Sequence, residues 1–222
     1  MTKILSILAL AVAFVAGGTW FLANRGNTTD MPVGAALAQT EDAADLDTSS
    51  IVEMSIGAED APVTVIEYAS FTCPHCRNFH ETVYPEFKAN YIDTGEVRMI
   101  YREVYFDLPG LWASMIARCG GEERFFSTAS MIYERQAEWV QGDGNAIADN
   151  LRRLALSTGL TSDEVDACFS DATKAQTLIA WFEENREADN VTSTPTFIID
   201  GEKFEGNWVS GLLPAIDAAI GE

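Results

Sequence analysis

Positive charge is scarce in this chain of 222 residues: 14 Lys and Arg stand against 34 Asp and Glu, a net charge of −20. Phosphate contacts require clustered Lys and Arg, and no such cluster occurs, so a nucleic-acid partner is excluded. The acidic residues are spread along the chain, as on a solvated surface, and do not gather into a cation site. Histidine and cysteine are also few, with 2 and 4 copies. A zinc site would need a second Cys or His pair beside Cys73 and Cys76; neither Cys119 nor Cys168 belongs to one, and no metal is expected. Haem attachment needs His directly after the second Cys, where Arg77 stands. There is no internal repeat. With 47% hydrophobic residues and 22% charged, the chain can bury a sizeable core.

Residues 4–23 form an apolar run behind Lys3, and Arg25 follows. Its 20 residues exceed a signal-peptide core of about 7 to 15 and approach the roughly 20 that span a bilayer. The run reads as an export signal, retained as a membrane anchor rather than cleaved. Ala36-Leu37-Ala38 resembles a peptidase site but lies well past it. Either outcome puts the remainder outside the cytoplasm, where disulfides persist. Residues 24–50 lack aromatics, are rich in Ala, Thr, Asp and Gly, and read as a disordered linker.

The ordered part opens with a short edge strand at 51–56 and a buried, β-branched strand at 63–68. Apolar positions Phe79, Val83 and Phe87 predict a helix over 78–90, kinked by Pro85. A second strand is expected at 97–106, and the intervening helix makes the pair a parallel βαβ unit. Residues 108–189 are helical by pattern: Pro109 suits a start, Gly120 and Gly159 suit ends, and Thr161 to Glu164 reads as a capping box. Strands at 196–199 and 202–204 are expected to pair about Asp200-Gly201, followed by a final helix at 212–220.

Cys73-Pro74-His75-Cys76 stands between the strand and the helix. Unpaired N–H groups at a helix start favour a thiolate at Cys73, and a protonated His75 would add to this. Pro74 has no N–H to leave unsatisfied there. Cys76, one turn into the helix, is expected to be shielded. Phe71 to Cys76, Thr194-Pro195-Thr196-Phe197 and the helical stretch between them resemble the DsbA-like thiol:disulfide oxidoreductases. That resemblance implies an α/β thioredoxin fold with an inserted helical domain: residues 51–107 and 190–222 form the thioredoxin-like domain in two segments, and 108–189 the insertion. It also implies a cis-proline loop at Thr194 and Pro195 that faces the cysteines and receives extended substrate. In thioredoxin-like reductases Gly-Pro usually lies between the cysteines and Trp before them; here the preceding residue is Thr72.

The expected chemistry is dithiol oxidation. Cys73 is the attacked sulfur of a redox-active disulfide with Cys76, Cys76 resolves, and His75 tunes. Glu67 falls where the family has a buried acid able to relay the Cys76 proton; the bland alternative is an exposed strand-edge Glu. The family often pairs that acid with Lys on the next strand, where this chain has Tyr101 and Arg102. His80 reads as a surface or packing histidine. Cys119 and Cys168, on separate helices, are expected to form a structural disulfide, against the rivals of two buried thiols or a relay pair. The resemblance implies unfolded or reduced exported polypeptides as partners, a DsbB-like membrane reoxidant, a periplasmic location, no cofactor and a monomer. The rivals are a disulfide isomerase or reductase of the same fold, and a copper-binding thioredoxin-like module.

Overall fold

A computed structural model describes residues 46–221. The apolar run at 4–23 and most of the linker lie outside the described residues. Among the described residues, no helix is long and apolar enough to cross a membrane. Residues 48–50, read as linker, form a 3-10 turn capped by Asp47, and Thr48 Oγ1 donates to Glu184 at 2.8 Å.

Five strands form one sheet in the order β1-β3-β2-β4-β5. They are β1 (Met54–Ile56), β2 (Val63–Ala69), β3 (Val97–Glu103), β4 (Thr196–Ile199) and β5 (Glu202–Lys203). β2 and β3 are parallel and all other pairs antiparallel. The parallel pairing follows from the helical crossover between them: α1 (Pro74–Thr82), α2 (Tyr84–Phe87) and a π-helical turn at Lys88–Ile92. The helix expected to kink at Pro85 breaks at Val83, two residues before it, because proline cannot supply the N–H a continuing helix needs. Gly57, in the turn after β1, has φ +107°, and a Cβ there would meet the Val97 carbonyl oxygen at 2.4 Å.

Six helices follow β3: α3 (Leu108–Cys119), α4 (Glu122–Glu134), α5 (Gln136–Trp139), α6 (Gly144–Ser157), α7 (Ser162–Ser170) and α8 (Ala172–Ala188). Asp107, Asp143 and Asp171 cap α3, α6 and α8 through their side chains, and Thr161 with Glu164 closes a capping box on α7. Cys119 and Cys168 are bonded, Cα to Cα 5.9 Å, which ties the end of α3 to α7. The chain then returns to β4 and β5 around Asp200 and Gly201, whose φ values of 46° and 86° suit a two-residue hairpin. The last helix, α9 (Trp208–Ile220), begins four residues before the expected Leu212, since Asn207 caps it by accepting from the Val209 N–H at 2.9 Å.

This is the α/β arrangement of a thioredoxin fold carrying a helical insertion. β2 runs through the middle of the sheet, with Val63, Val65, Glu67 and Ala69 on one face and Ile66 and Tyr68 on the other. Tyr68 packs with Val104, Phe182, Val191 and Ile198. On the opposite face an aromatic group forms around Phe71, with Tyr101 at 5.6 Å and Tyr133 at 5.1 Å between ring centroids.

Candidate active site

Cys73 is the N-cap of α1, with extended backbone (φ −75°, ψ 122°), and Pro74 occupies the first helical position. Its own N–H bonds to Ser70 O at 3.0 Å and its carbonyl accepts from Arg77 N at 3.1 Å, so the turn is fixed on both sides. Cys73 is half-buried, Pro74 and His75 are exposed, and Cys76 is completely buried. Both thiols are free.

The two sulfurs are electrostatically opposite. The Cys76 thiol donates to Cys73 and lowers its pKa well below the ordinary cysteine range, to about 5. Partial burial opposes this. The Thr194 side chain and the backbone N–H groups of Cys76 and His75 add to the lowering. Burial pushes the Cys76 thiol far up, and the Cys73 sulfur and the Glu67 charge push it in the same direction.

Thr194 and Pro195 stand directly before β4 and are joined by a cis peptide bond. Cys73, as a thiol, donates to the Thr194 carbonyl oxygen at 3.7 Å, so the loop and the Cys turn meet although 121 residues separate them. Glu67 lies inside the sheet with no exposed surface, not on a strand edge. The candidates thus divide spatially: Cys73, Thr194 and Pro195 share the surface end of the site, Cys76 and Glu67 lie buried, and His75 contributes its backbone N–H while its ring faces solvent.

His80 corrects the sequence reading. It is not a surface residue: its side chain is 4% exposed, and Nε2 lies 3.0 and 3.2 Å from the two Glu67 carboxylate oxygens. Neither residue in the position of the family's Lys reaches Glu67. Tyr101 bonds to the Tyr133 hydroxyl at 2.6 Å, and Arg102 turns to Glu53, Tyr68 and Asp189. The helical register, with His80 four residues after Cys76, was the available signal.

Two further contributors had no sequence signal. Gln136, buried on α5, donates its side-chain amide to Phe71 O at 2.7 Å and Cys73 O at 3.1 Å, so the helical region holds the nucleophile turn. Phe106, read as the end of a strand, is 61% exposed beyond β3. With Val104, Tyr105, Phe182, Val191 and Ser193 it lines a cavity of about 250 Å³ beside the Thr194 loop. Among the described residues, no three His, Cys, Asp or Glu side chains converge as a metal site.

A family model described as Thioredoxin matches residues 49–218. The chain is a DsbA-like member of the thioredoxin family. A Rickettsia bellii protein named as a candidate protein-disulfide oxidoreductase is 34% identical over 171 residues, covering 77% of this chain and 65% of that protein. This DsbA-like chain therefore spans just under two thirds of that relative's length. Wolbachia pipientis alpha-DsbA1 superposes with a TM-score of 0.69 at 28% identity, covering 76% of this chain and 91% of that one. A protein-disulfide isomerase from Novosphingobium aromaticivorans gives 0.69 at 26% identity, covering 77% and 98%.

Proposed function

We propose that this chain is a thiol:disulfide oxidoreductase working as a dithiol oxidase, which donates a Cys73-Cys76 disulfide to exported polypeptides. The observation that carries the reading is the asymmetry between the sulfurs: Cys73 is half-exposed at a helix N-cap with its thiolate favoured, and Cys76 is fully buried with its thiol favoured. A client thiolate attacks Cys73 Sγ, the Cys73–Cys76 bond breaks, and Cys76 leaves with the electron pair and takes up a proton. The second client thiolate then attacks the client sulfur of the mixed disulfide and expels Cys73 as a stable thiolate. Lowering the Cys73 pKa favours the reduced enzyme, so the disulfide form becomes the stronger oxidant.

In this reading Glu67, buried beneath the cysteines, serves the proton relay of Cys76, a protonated His75 favours the Cys73 thiolate, and Thr194 and Pro195 bind the client backbone. The exposed Phe106 and its neighbouring cavity give a sequence-tolerant apolar contact for an unfolded client. Residues 51–107 with 190–222 serve as the catalytic domain and 108–189 as its insertion, with Cys119–Cys168 in a structural role. The enzyme acts as a monomer outside the cytoplasm, in the periplasm, exported and held by residues 4–23, and a DsbB-like membrane protein reoxidises it.

The test is oxidation of a reduced, unfolded model protein by the purified chain and by its Cys73→Ala variant. The reading predicts catalysed disulfide formation that is lost in the variant. A rate equal to the uncatalysed background for the parent removes it, and restoration of scrambled disulfides without net oxidation points to an isomerase.

A further inference from the structure

Glu67 and His80 face each other across the space between β2 and α1, both buried, at 3.0 Å. Nε2 is the nitrogen on the carboxylate, so Glu67 fixes the tautomer in which Nε2 carries a hydrogen. The other nitrogen, Nδ1, is buried and has no hydrogen-bond partner among the described residues. A packing histidine would normally have both nitrogens satisfied, because an unpaired buried polar group costs about 1–3 kcal/mol.

The surroundings restrict what Nδ1 can serve. The Tyr133 ring stacks on the imidazole at 4.2 Å, Tyr84 lies at 4.8 Å and Tyr101 at 6.1 Å. All three phenols have pKa values raised, chiefly by burial, so they stay neutral and do not take up a charge. Tyr101 and Tyr133 also bond to each other. That leaves Cys76, Glu67 and His80 as the proton-exchanging groups of this interior. Cys76 and His80 are i and i+4 on α1, and helical side chains lean toward the N-terminus, which carries the imidazole back over the turn that holds Cys76.

We propose that His80 is the group that gives Cys76 its proton and takes it back, with Glu67 holding the imidazole in place. This inference deepens the oxidase reading and rests on it. In the oxidised enzyme His80 is an imidazolium, with Nε2–H on Glu67 and the mobile proton on Nδ1. When the client thiolate attacks Cys73 Sγ and the Cys73–Cys76 bond breaks, the Cys76 sulfur leaves as a thiolate and receives the Nδ1 proton. His80 becomes neutral. The second client thiol releases its proton to solvent and its sulfur expels Cys73 as a thiolate. The client has then lost two electrons, the enzyme disulfide has gained them, and reoxidation returns the Cys76 proton to Nδ1. A carboxylate that orients an imidazole so its far nitrogen serves a nucleophile is the logic of catalytic triads, applied here to a leaving sulfur.

Two measurements on the full chain test this. Nitrogen-15 NMR of the His80 ring should show Nδ1 protonated in the disulfide form and bare in the dithiol form, with Nε2 protonated in both. An Nδ1 signal in the same state in both forms overturns the proposal, whatever any variant does. In rapid mixing with reduced client, His80→Gln should open the Cys73–Cys76 bond on the order of 100-fold more slowly, the scale of a lost general acid. Glutamine keeps an N–H donor for Glu67 but has no acidic proton to give, so opening at the parent rate would make His80 merely structural and would also overturn the proposal. A parent that oxidises no client, yet switches Nδ1 between its two redox forms, would sink the oxidase reading and leave the proton assignment standing.

Discussion

The side-chain amide of Gln136 donates to the carbonyl oxygen of Cys73 at 3.1 Å. The same amide serves Phe71 O at 2.7 Å, so one buried residue of the helical region satisfies two acceptors of the nucleophile turn. Gln136→Ala leaves both without this donor and should cost about 1–3 kcal/mol. Urea unfolding of the reduced proteins checks the figure. An unchanged midpoint would mean that the turn is held without Gln136.

Glu67 bears on Cys76 through charge. Glu67→Gln preserves the size and an acceptor for His80 but deletes the negative charge that helps to push the Cys76 thiol up. In a Cys73→Ser background, the Cys76 thiol of Glu67→Gln should therefore titrate at lower pH than that of the Glu67 parent. Thiolate absorbance measured for the two proteins gives the comparison, and a rise or no change would contradict it.

The disulfide between Cys119 and Cys168 closes a loop with a sequence separation of 49. On the chain-entropy model this stabilises the fold by about 4 kcal/mol. The double variant Cys119→Ala, Cys168→Ala should unfold at correspondingly lower denaturant while the Cys73 titration stays where it was. A shifted Cys73 titration would mean that the second bond communicates with the first.

The Cys73 pKa, lowered to about 5, sets a pH dependence. Its thiolate stabilises the reduced fold fully above the ordinary cysteine pKa of about 8.5, and this contribution is lost as the pH falls toward 5. Cys73 takes up a proton on reduction only below pH 5, so the reduction potential should fall by about 30 mV more per pH unit below pH 5 than above it. Equilibration with glutathione across pH 4 to 8 would reveal the break, and an unbroken slope throughout would contradict it.

Local rules made much of the frame legible. The β-branched run of β2 and the helical span before β3 dictate a parallel pair, and Asp200-Gly201 dictates the hairpin after β4. Pro74 directly after Cys73 places a sulfur at a helix start. Other parts depend on what packing brings across the molecule. His80 is only faintly legible: its i+4 spacing from Cys76 suits a surface residue equally well, and its partner Glu67 is on a strand. Gln136 is one polar residue among many in a helical stretch, and its function arises only where α5 meets the Cys turn. The early start of α9 is hidden in the sequence because Gly206 and Gly211 obscure the cap that Asn207 supplies.

The donor role of the Cys73-Cys76 disulfide turns most directly on how Cys73 ionises in the reduced protein. Thiolate absorbance followed from pH 3 to 10, with Cys73→Ser as the reference, should give a midpoint for this residue near pH 5. A midpoint near 8.5, that of an unperturbed cysteine, would contradict it.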